Sequence, residues 1–193
     1  MGKSYDLVII GAGSGGLTAA GFAVQLGASV ALVERNRIGG DCTWTGCVPS
    51  KTLLKAAKVA HLMRTADRYG LRAVAPQVDL KAVMAHVRDV IQGVYRQESP
   101  QALREDGIDV YLEEARFLDP HTLAVGEERL EARHVLIATG GRPLIPPIEG
   151  LADVNYLTSN TVWDLETLPR RLIVIGPGPI GCEMAQAFRR LGS

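Results

Sequence analysis

Leu7-Val8-Ile9-Ile10-Gly11-Ala12-Gly13-Ser14-Gly15-Gly16 is the stretch on which the fold turns. Four consecutive apolar residues suit a short strand buried on both faces of a parallel sheet. Gly-x-Gly-x-x-Gly follows without a gap at Gly11, Gly13 and Gly16. Gly11 makes a tight turn, Gly13 lets the backbone approach a pyrophosphate, and Gly16 lets the next helix pack closely on the strand. Residues 17–26 carry apolar and small side chains at helical spacing and stop at Gly27, and 29–33 read as the next strand. The product is a βαβ unit whose helix N-terminus is a natural phosphate site. Glu34, 23 residues after Gly11, suits hydrogen bonds from ribose hydroxyls.

The rest of the chain is organised around that unit. Residues 51–68 and 79–97 read as helices, the first with Leu54, Val59, Leu62 and Met63 on one side. After Gly107, short alternating segments at 108–112, 115–118, 122–125 and 129–130, punctuated by Asp119-Pro120 and Gly126, predict a small antiparallel meander. Residues 135–138 read as another buried strand, ending in Thr139-Gly140-Gly141, and the proline-rich stretch 142–150 suits a boundary crossing. The glycine pattern then returns: an apolar strand is expected at 172–175, Gly176, Gly178 and Gly181 repeat the spacing, and Pro179 suits the first turn of a helix. Two such turns in one chain suit a flavin paired with a hydride donor. The fold class expected is α/β: a Rossmann-like domain with a parallel sheet and a small antiparallel meander over 1–147, then a linker and the start of a second Rossmann-like domain over 148–193. Only 12 residues follow Gly181, so the side chain that separates NAD from NADP is not reached.

Composition narrows the function classes. Twenty-one Lys and Arg balance 21 Asp and Glu in 193 residues, with 47% hydrophobic residues, so the chain lacks the basic footprint of a nucleic-acid or anionic-membrane binder. No uninterrupted apolar run reaches about 18 residues and the N-terminus lacks signal-peptide architecture, which leads to the expectation of a cytoplasmic protein. Three cysteines are too few for a disulfide scaffold or a four-cysteine zinc site.

Two of those cysteines stand five positions apart in Gly39-Gly40-Asp41-Cys42-Thr43-Trp44-Thr45-Gly46-Cys47-Val48-Pro49-Ser50-Lys51. They lie within reach of one disulfide, which in a cytoplasmic chain reads as catalytic; two reduced core thiols or half of a metal site are the alternatives. Pro49 suits the first turn of the helix at 51, so Cys47 is expected near a helix N-terminus, where the thiolate is favoured, with the charge of Lys51 nearby. Cys42 is expected to be the more accessible sulfur and the one that exchanges with substrate. Cys182 reads as a packed core residue. His61, His86, His121 and His134 read as surface or packing histidines.

Assembled, these motifs resemble the class I pyridine nucleotide-disulfide oxidoreductases, flavoproteins that include lipoamide dehydrogenase, glutathione reductase and mercuric reductase. Gly-Gly-x-Cys-x(4)-Cys-Val-Pro-Ser-Lys at 39–51 is the most specific element. Ser50-Lys51 is similar to lipoamide dehydrogenase and mercuric reductase, and Ser14-Gly15-Gly16 to glutathione or mercuric reductase. The resemblance implies FAD held by Gly11, Gly13, Ser14, Gly15, Gly16, Glu34, Arg35, Gly40, Asp41, Lys51, Ala115, Ala138, Thr139 and Gly140, and NAD or NADP on Gly176, Gly178 and Gly181. It implies Cys47 as the sulfur in charge-transfer contact with the flavin, Cys42 as the interchange thiol, and Lys51 by the flavin N5 edge, paired with Glu183. No bound metal is implied. The substrate would be a small disulfide, a dihydrolipoyl group or a metal ion, and the full-length protein a homodimer. Asp41 and Thr43-Trp44-Thr45 depart from the family's Thr and its Leu/Val-Asn-Val. Relatives are more than twice as long, so the chain is expected to be the first part of a longer enzyme, inactive alone. A non-catalytic dinucleotide-binding module with a structural or sensing disulfide is the competing reading, and a flavoprotein monooxygenase, which needs no such cysteine pair, the third.

Overall fold

Residues Lys3–Ile10 (β1), Val30–Val33 (β2), Ile108–Tyr111 (β3), Ala115–Asp119 (β4), Thr122–Val125 (β5) and Glu128–Ile137 (β6) form one six-stranded sheet ordered β3-β2-β1-β6-β5-β4. The computed structural model describes residues 2–193. Strands β3, β2, β1 and β6 are parallel neighbours, and β6, β5 and β4 run antiparallel. Ser14–Gln25 (α1) joins β1 to β2. This is the doubly wound order of a nucleotide-binding sheet, with Ile10, Val33, Tyr111 and Ile137 all ending strands at one edge.

The chain divides into two units. The first comprises Met1–Trp44 and Gly93–Arg142, the second Thr45–Gln92 and Pro143–Ser193. In the first, the sheet buries both faces. One face gathers Ile9, Val30, Leu32, Ile108 and Val110 with Ala20 of α1 and Leu103. The other gathers Val8, Ala31, Val33, Leu123, Val125, Leu130 and Ala132. β2 is buried at all four positions, as a central strand covered on both sides must be. Each fully buried Ile or Leu contributes about 1.5–3 kcal/mol. The Tyr5 hydroxyl donates to Asp109 Oδ2 at 2.5 Å and meets the Tyr111 hydroxyl at 2.8 Å, tying β1 to β3 across β2. Burial, followed by these hydrogen bonds, pushes the Tyr5 phenol up.

Two expectations about strands change. Ile108–Tyr111 does not belong to the meander but pairs in parallel with β2. Its alternating pattern is that of an edge strand, with Ile108 and Val110 on the core and Asp109 exposed. The segments expected at 129–130 and 135–138 are one strand, β6, whose polar residues Glu131, Arg133 and His134 face outward and mask its continuity in the sequence.

The second unit is helical. Cys47–Arg64 (α3), the main part of Leu80–Tyr95 (α4) and Pro179–Leu191 (α6) are its long elements; Gly40–Trp44 (α2) and Pro100–Glu105 (α5) belong to the first unit. α3 packs on α6, burying Leu53, Ala57 and Ala60 on one and Met184, Ala187, Phe188 and Leu191 on the other. α4 buries Leu80, Met84, Val87 and Ile91, a single stripe at helical spacing. No strand forms at 172–175: Ile173 is 88% exposed, because a buried parallel strand needs a neighbour to ladder with and none of the described strands pairs there. Among the described residues no helix is long and apolar enough to cross a membrane.

Candidate functional site

Gly11 follows β1 with φ +104, a conformation that an L side chain rarely adopts. A Cβ there would stand 2.3 Å from the Ala138 carbonyl oxygen, and one on Gly16 would stand 1.8 Å from that of Gly11. The glycines therefore let three backbone segments touch: the end of β1, the first turn of α1 and the Ala138-Thr139 exit of β6. Gly13 caps α1 in extended conformation without a side-chain hydrogen bond, so the first amides of the helix receive no side-chain acceptor. Gly13 lies against Gly40, where a Cβ would come 2.7 Å from the Gly13 Cα, while Gly15 has open space beside it. The geometry is a bare backbone cradle at a helix N-terminus, and it fits a dinucleotide pyrophosphate.

The Glu34 carboxylate closes one side of this cradle. It accepts from the Ala12 amide through Oε2 and from the Asn36 amide through Oε1, both at 2.8 Å. Each oxygen keeps a lone pair for a ribose hydroxyl. Arg35 lies outward, in an exposed 3.3 Å pair with Glu114, next to Ala115 at the start of β4. The first unit thus holds Gly11, Gly13, Ser14, Gly15, Gly16, Glu34, Arg35, Gly40, Asp41, Ala115, Ala138, Thr139 and Gly140 of the expected flavin contacts.

Cys42 sits in α2, also in the first unit. The two residues after it are drawn inward: the buried Thr43 hydroxyl donates to Glu98 Oε2 at 2.7 Å, and Trp44 Nε1 donates to the Ile38 carbonyl at 2.7 Å. The Trp44 ring centroid is 5.1 Å from that of Tyr95, and the Arg37 guanidinium lies 4.5 Å from the Trp44 ring. Cys42 is half-buried and Cys47 exposed, the reverse of the expected order of accessibility, because this inward packing carries Cys42 with it.

In the second unit Cys47 is the first residue of α3 itself, four positions before the expected start at 51. Pro49 falls inside the first turn, where its missing N–H costs nothing, and the helix closes with Ser50 N donating to the Gly46 carbonyl at 3.0 Å. Gly46 supplies no side-chain cap. Thr45 is tied down by Trp163, whose Nε1 donates to the Thr45 carbonyl at 3.0 Å and to that of Ser159 at 2.7 Å. One turn along α3, Lys51 Nζ pairs with Glu183 Oε1 at 2.8 Å, bringing together residues 132 apart. The Lys51 hydrogen bond holds the Glu183 carboxyl below its ordinary value.

Because that value is depressed in the folded state, the pair stabilises above the ordinary glutamate range and its contribution fades as pH falls through the lowered value. Both side chains are substantially exposed, 64% and 34%, so solvent screening keeps the worth of the pair under about 1 kcal/mol. In urea unfolding, Glu183→Gln should cost that much at neutral pH, and the difference from the parent should shrink as pH falls below the ordinary glutamate range and in concentrated salt.

The second glycine turn repeats the backbone conformation of the first, without a strand before it and with open space beside Gly176. Gly176 has φ +99, Gly178 caps α6 in extended conformation, and a Cβ on Gly181 would lie 2.3 Å from the Gly176 carbonyl oxygen. Pro179 occupies the first turn of α6. Cys182 is exposed, with Sγ 3.5 Å from the Pro177 carbonyl, rather than packed in a core, because it follows this turn on the outer side of α6. Sequence reasoning missed Glu98 and Tyr95, the partners of Thr43 and Trp44. Sequence reasoning also missed α5, for which Ser99-Pro100 is the available signal, since Ser99 Oγ caps it by accepting from the Ala102 amide at 3.2 Å. Nothing local signalled that Glu98 reaches Thr43.

Comparison with known proteins places this geometry. The family model described as pyridine nucleotide-disulphide oxidoreductase matches residues 5–193. The chain is 40% identical over 190 residues to a mercuric reductase of Lysinibacillus sphaericus, covering 98% of this chain and 35% of that protein. It is 43% identical over 196 residues to a mercuric reductase of Streptomyces lividans, covering 98% and 41%. Its fold is similar to a solved structure, the Cu(II) complex of the HOCl-induced flavoprotein disulfide reductase RclA from Escherichia coli, with a TM-score of 0.79 and 28% identity over 97% of this chain and 40% of that one. The chain spans roughly a third to two fifths of the length of these relatives. With a Rossmann-like sheet, two matching glycine turns and a family match over nearly its whole length, the chain belongs to the pyridine nucleotide-disulphide oxidoreductases.

Proposed function

We propose that the chain is the flavin-binding and thiol-bearing part of a cytoplasmic FAD-dependent NAD(P)H:disulfide or metal-ion oxidoreductase, homodimeric at full length. Its flavin domain spans 1–147, and its nicotinamide-nucleotide domain opens over 148–193. The observation that carries this reading is the conjunction, within one chain, of a bare glycine cradle and Cys42-x(4)-Cys47 running into the helix of Lys51. A nucleotide module with an idle disulfide needs the first but not the second.

FAD, when bound, relays two electrons between a hydride donor and a disulfide. The chain's own residues have separable tasks. Gly11, Gly13, Gly15 and Gly16 keep side chains out of the phosphate cradle, and Glu34 takes the adenosine ribose. Gly176, Gly178 and Gly181 do the same for NAD or NADP on the second turn. Cys42 and Cys47 hold the electrons as a dithiol and release them by closing their disulfide. Cys47, at the start of α3, is favoured as the sulfur that carries negative charge next to the flavin. Cys42 attacks or receives the substrate. Lys51, paired with Glu183, would supply a positive charge for the flavin when FAD is bound.

A visible spectrum of the FAD-loaded protein, recorded anaerobically before and after two-electron reduction, tests the reading. A long-wavelength charge-transfer band that appears on reduction, with the oxidised flavin absorption kept, and that Cys47→Ser abolishes, supports it. Bound FAD with no such band in a full-length version overturns it in favour of the nucleotide module.

A further inference from the structure

We propose that Glu98 and Tyr95 are positioning residues for Cys42, acting through Thr43 and Trp44 as a latch on α2; the proposal rests on the reading of Cys42 as the interchange thiol. Helix α2 has only five residues, far short of the length at which a helix holds itself. Its orientation must therefore come from what it is tied to. Two ties leave from the residues directly after the sulfur. Thr43, 2% exposed, donates its hydroxyl to Glu98 Oε2 at 2.7 Å, and Trp44 is held by Ile38, Arg37 and Tyr95.

The approach of Glu98 is built into the backbone. Gly39 has φ +102, and a Cβ there would stand 2.7 Å from the Thr43 Cβ and 2.9 Å from Glu98 Oε2. A side chain at 39 would wedge the latch open. Gly39 also donates its amide to the Ala12 carbonyl at 2.8 Å, so the same residue that admits Glu98 ties the Cys42 segment to the glycine turn. The far end is equally fixed. Tyr95 is the last residue of α4, Glu98 N donates to the Tyr95 carbonyl at 3.0 Å, and the adjacent Ser99 caps α5. The corner between α4 and α5 thus holds both anchors at one place, and they grip the residues one and two positions after Cys42. That explains why Cys42 is half-buried on so short a helix, and it limits the positions from which its sulfur can exchange.

A loosened latch should make Cys42 easier to alkylate and less often correctly placed for exchange, so the two quantities should move in opposite directions. The test uses the full-length, FAD-loaded enzyme, reduced anaerobically. The alkylation rate of Cys42 by iodoacetamide, mapped by peptide mass, is measured beside kcat and KM for a disulfide substrate. Thr43→Val and Glu98→Ala should each raise Cys42 alkylation and lower kcat, both by about tenfold, the worth of a hydrogen bond to a charged group. KM for the nicotinamide donor and the flavin spectrum should stay unchanged, and Thr43→Ser, which keeps the hydroxyl, should restore both rates. Parent-like alkylation in both variants would overturn the latch, even if melting temperature falls, since that pattern belongs to a purely structural contact. Should Thr43→Val fail to fold, Glu98→Ala and Thr43→Ser decide alone. Full turnover by Cys42→Ser would instead overturn the underlying assignment of the interchange thiol, a result distinguishable from either.

Discussion

Gly16→Ala is expected to remove about 3–5 kcal/mol of stability from the sheet unit, which lies in the exceptional range for one added methyl group. The added Cβ would stand 1.8 Å from the Gly11 carbonyl oxygen, 3.0 Å from its carbon and 3.4 Å from Ile9 Cγ2. The first two are backbone atoms, so no rotamer change relieves the clash. Either α1 lifts off β1, exposing Ala20 and the sheet face beneath it, or the Gly11 turn opens and loses its contact with Ala138. Ordinary overpacking of a core costs about 1–3 kcal/mol because neighbours yield; here they are the turn itself. Thermal unfolding followed by circular dichroism should show a drop of about 10–15 °C, by the scaling for domains of this size. Gly21→Ala is the control. It lies in the same helix with nothing within 4 Å, and should gain up to about 1 kcal/mol from helix propensity. A Gly16→Ala melt within a few degrees of the parent would mean that the turn is not held as described.

The contrast between Gly16 and Gly21 also shows what could be read from the sequence. Both are glycines in one helix, yet only Gly16 stands at a spacing that a phosphate-binding turn requires, and the structure leaves no room for a side chain there and ample room at Gly21. Spacing was informative because it reported backbone-to-backbone approach, which depends on residues close in the chain. The same locality made the βαβ unit and the second turn readable. Where a feature depended on partners far along the chain, the sequence was silent or misleading. Ile108–Tyr111 alternates like a meander strand, and only its parallel register with Val30–Val33 identifies it as a sheet edge. Residues 172–175 have the composition of a buried strand, but strand formation is a property of pairs. Pro49 lies in the first turn of a helix, as expected, but at its third position, because the helix starts at Cys47 and not at 51 and every N–H in the first turn is equally unneeded. The Thr43–Glu98 bond spans 55 residues and follows no periodicity.

In the full-length enzyme, Cys42→Ser is expected to lower disulfide or metal-ion reduction by about a thousandfold or more while FAD stays bound and the nicotinamide donor still reduces it. Serine keeps the size and hydrogen bonding of the position but cannot form or break a disulfide, so the electron path ends one sulfur short of the substrate. The fold has no reason to respond. Cys42 is half-buried on a five-residue helix whose anchors are Thr43 and Trp44, and the cradle of Gly11, Gly13 and Gly16 does not use its side chain. Cys47→Ser should fail differently. Cys47 opens α3, where the positive end of the helix dipole favours negative charge, so its loss should abolish the long-wavelength absorption of the reduced enzyme as well as turnover. Exposure alone would assign the roles the other way round, since Cys47 is the more open of the two. The pair of variants decides between these orders. If Cys42→Ser removes the absorption band and Cys47→Ser keeps it, the two sulfurs exchange roles. If both variants keep turnover at the parent rate, the two cysteines carry no electrons to the substrate.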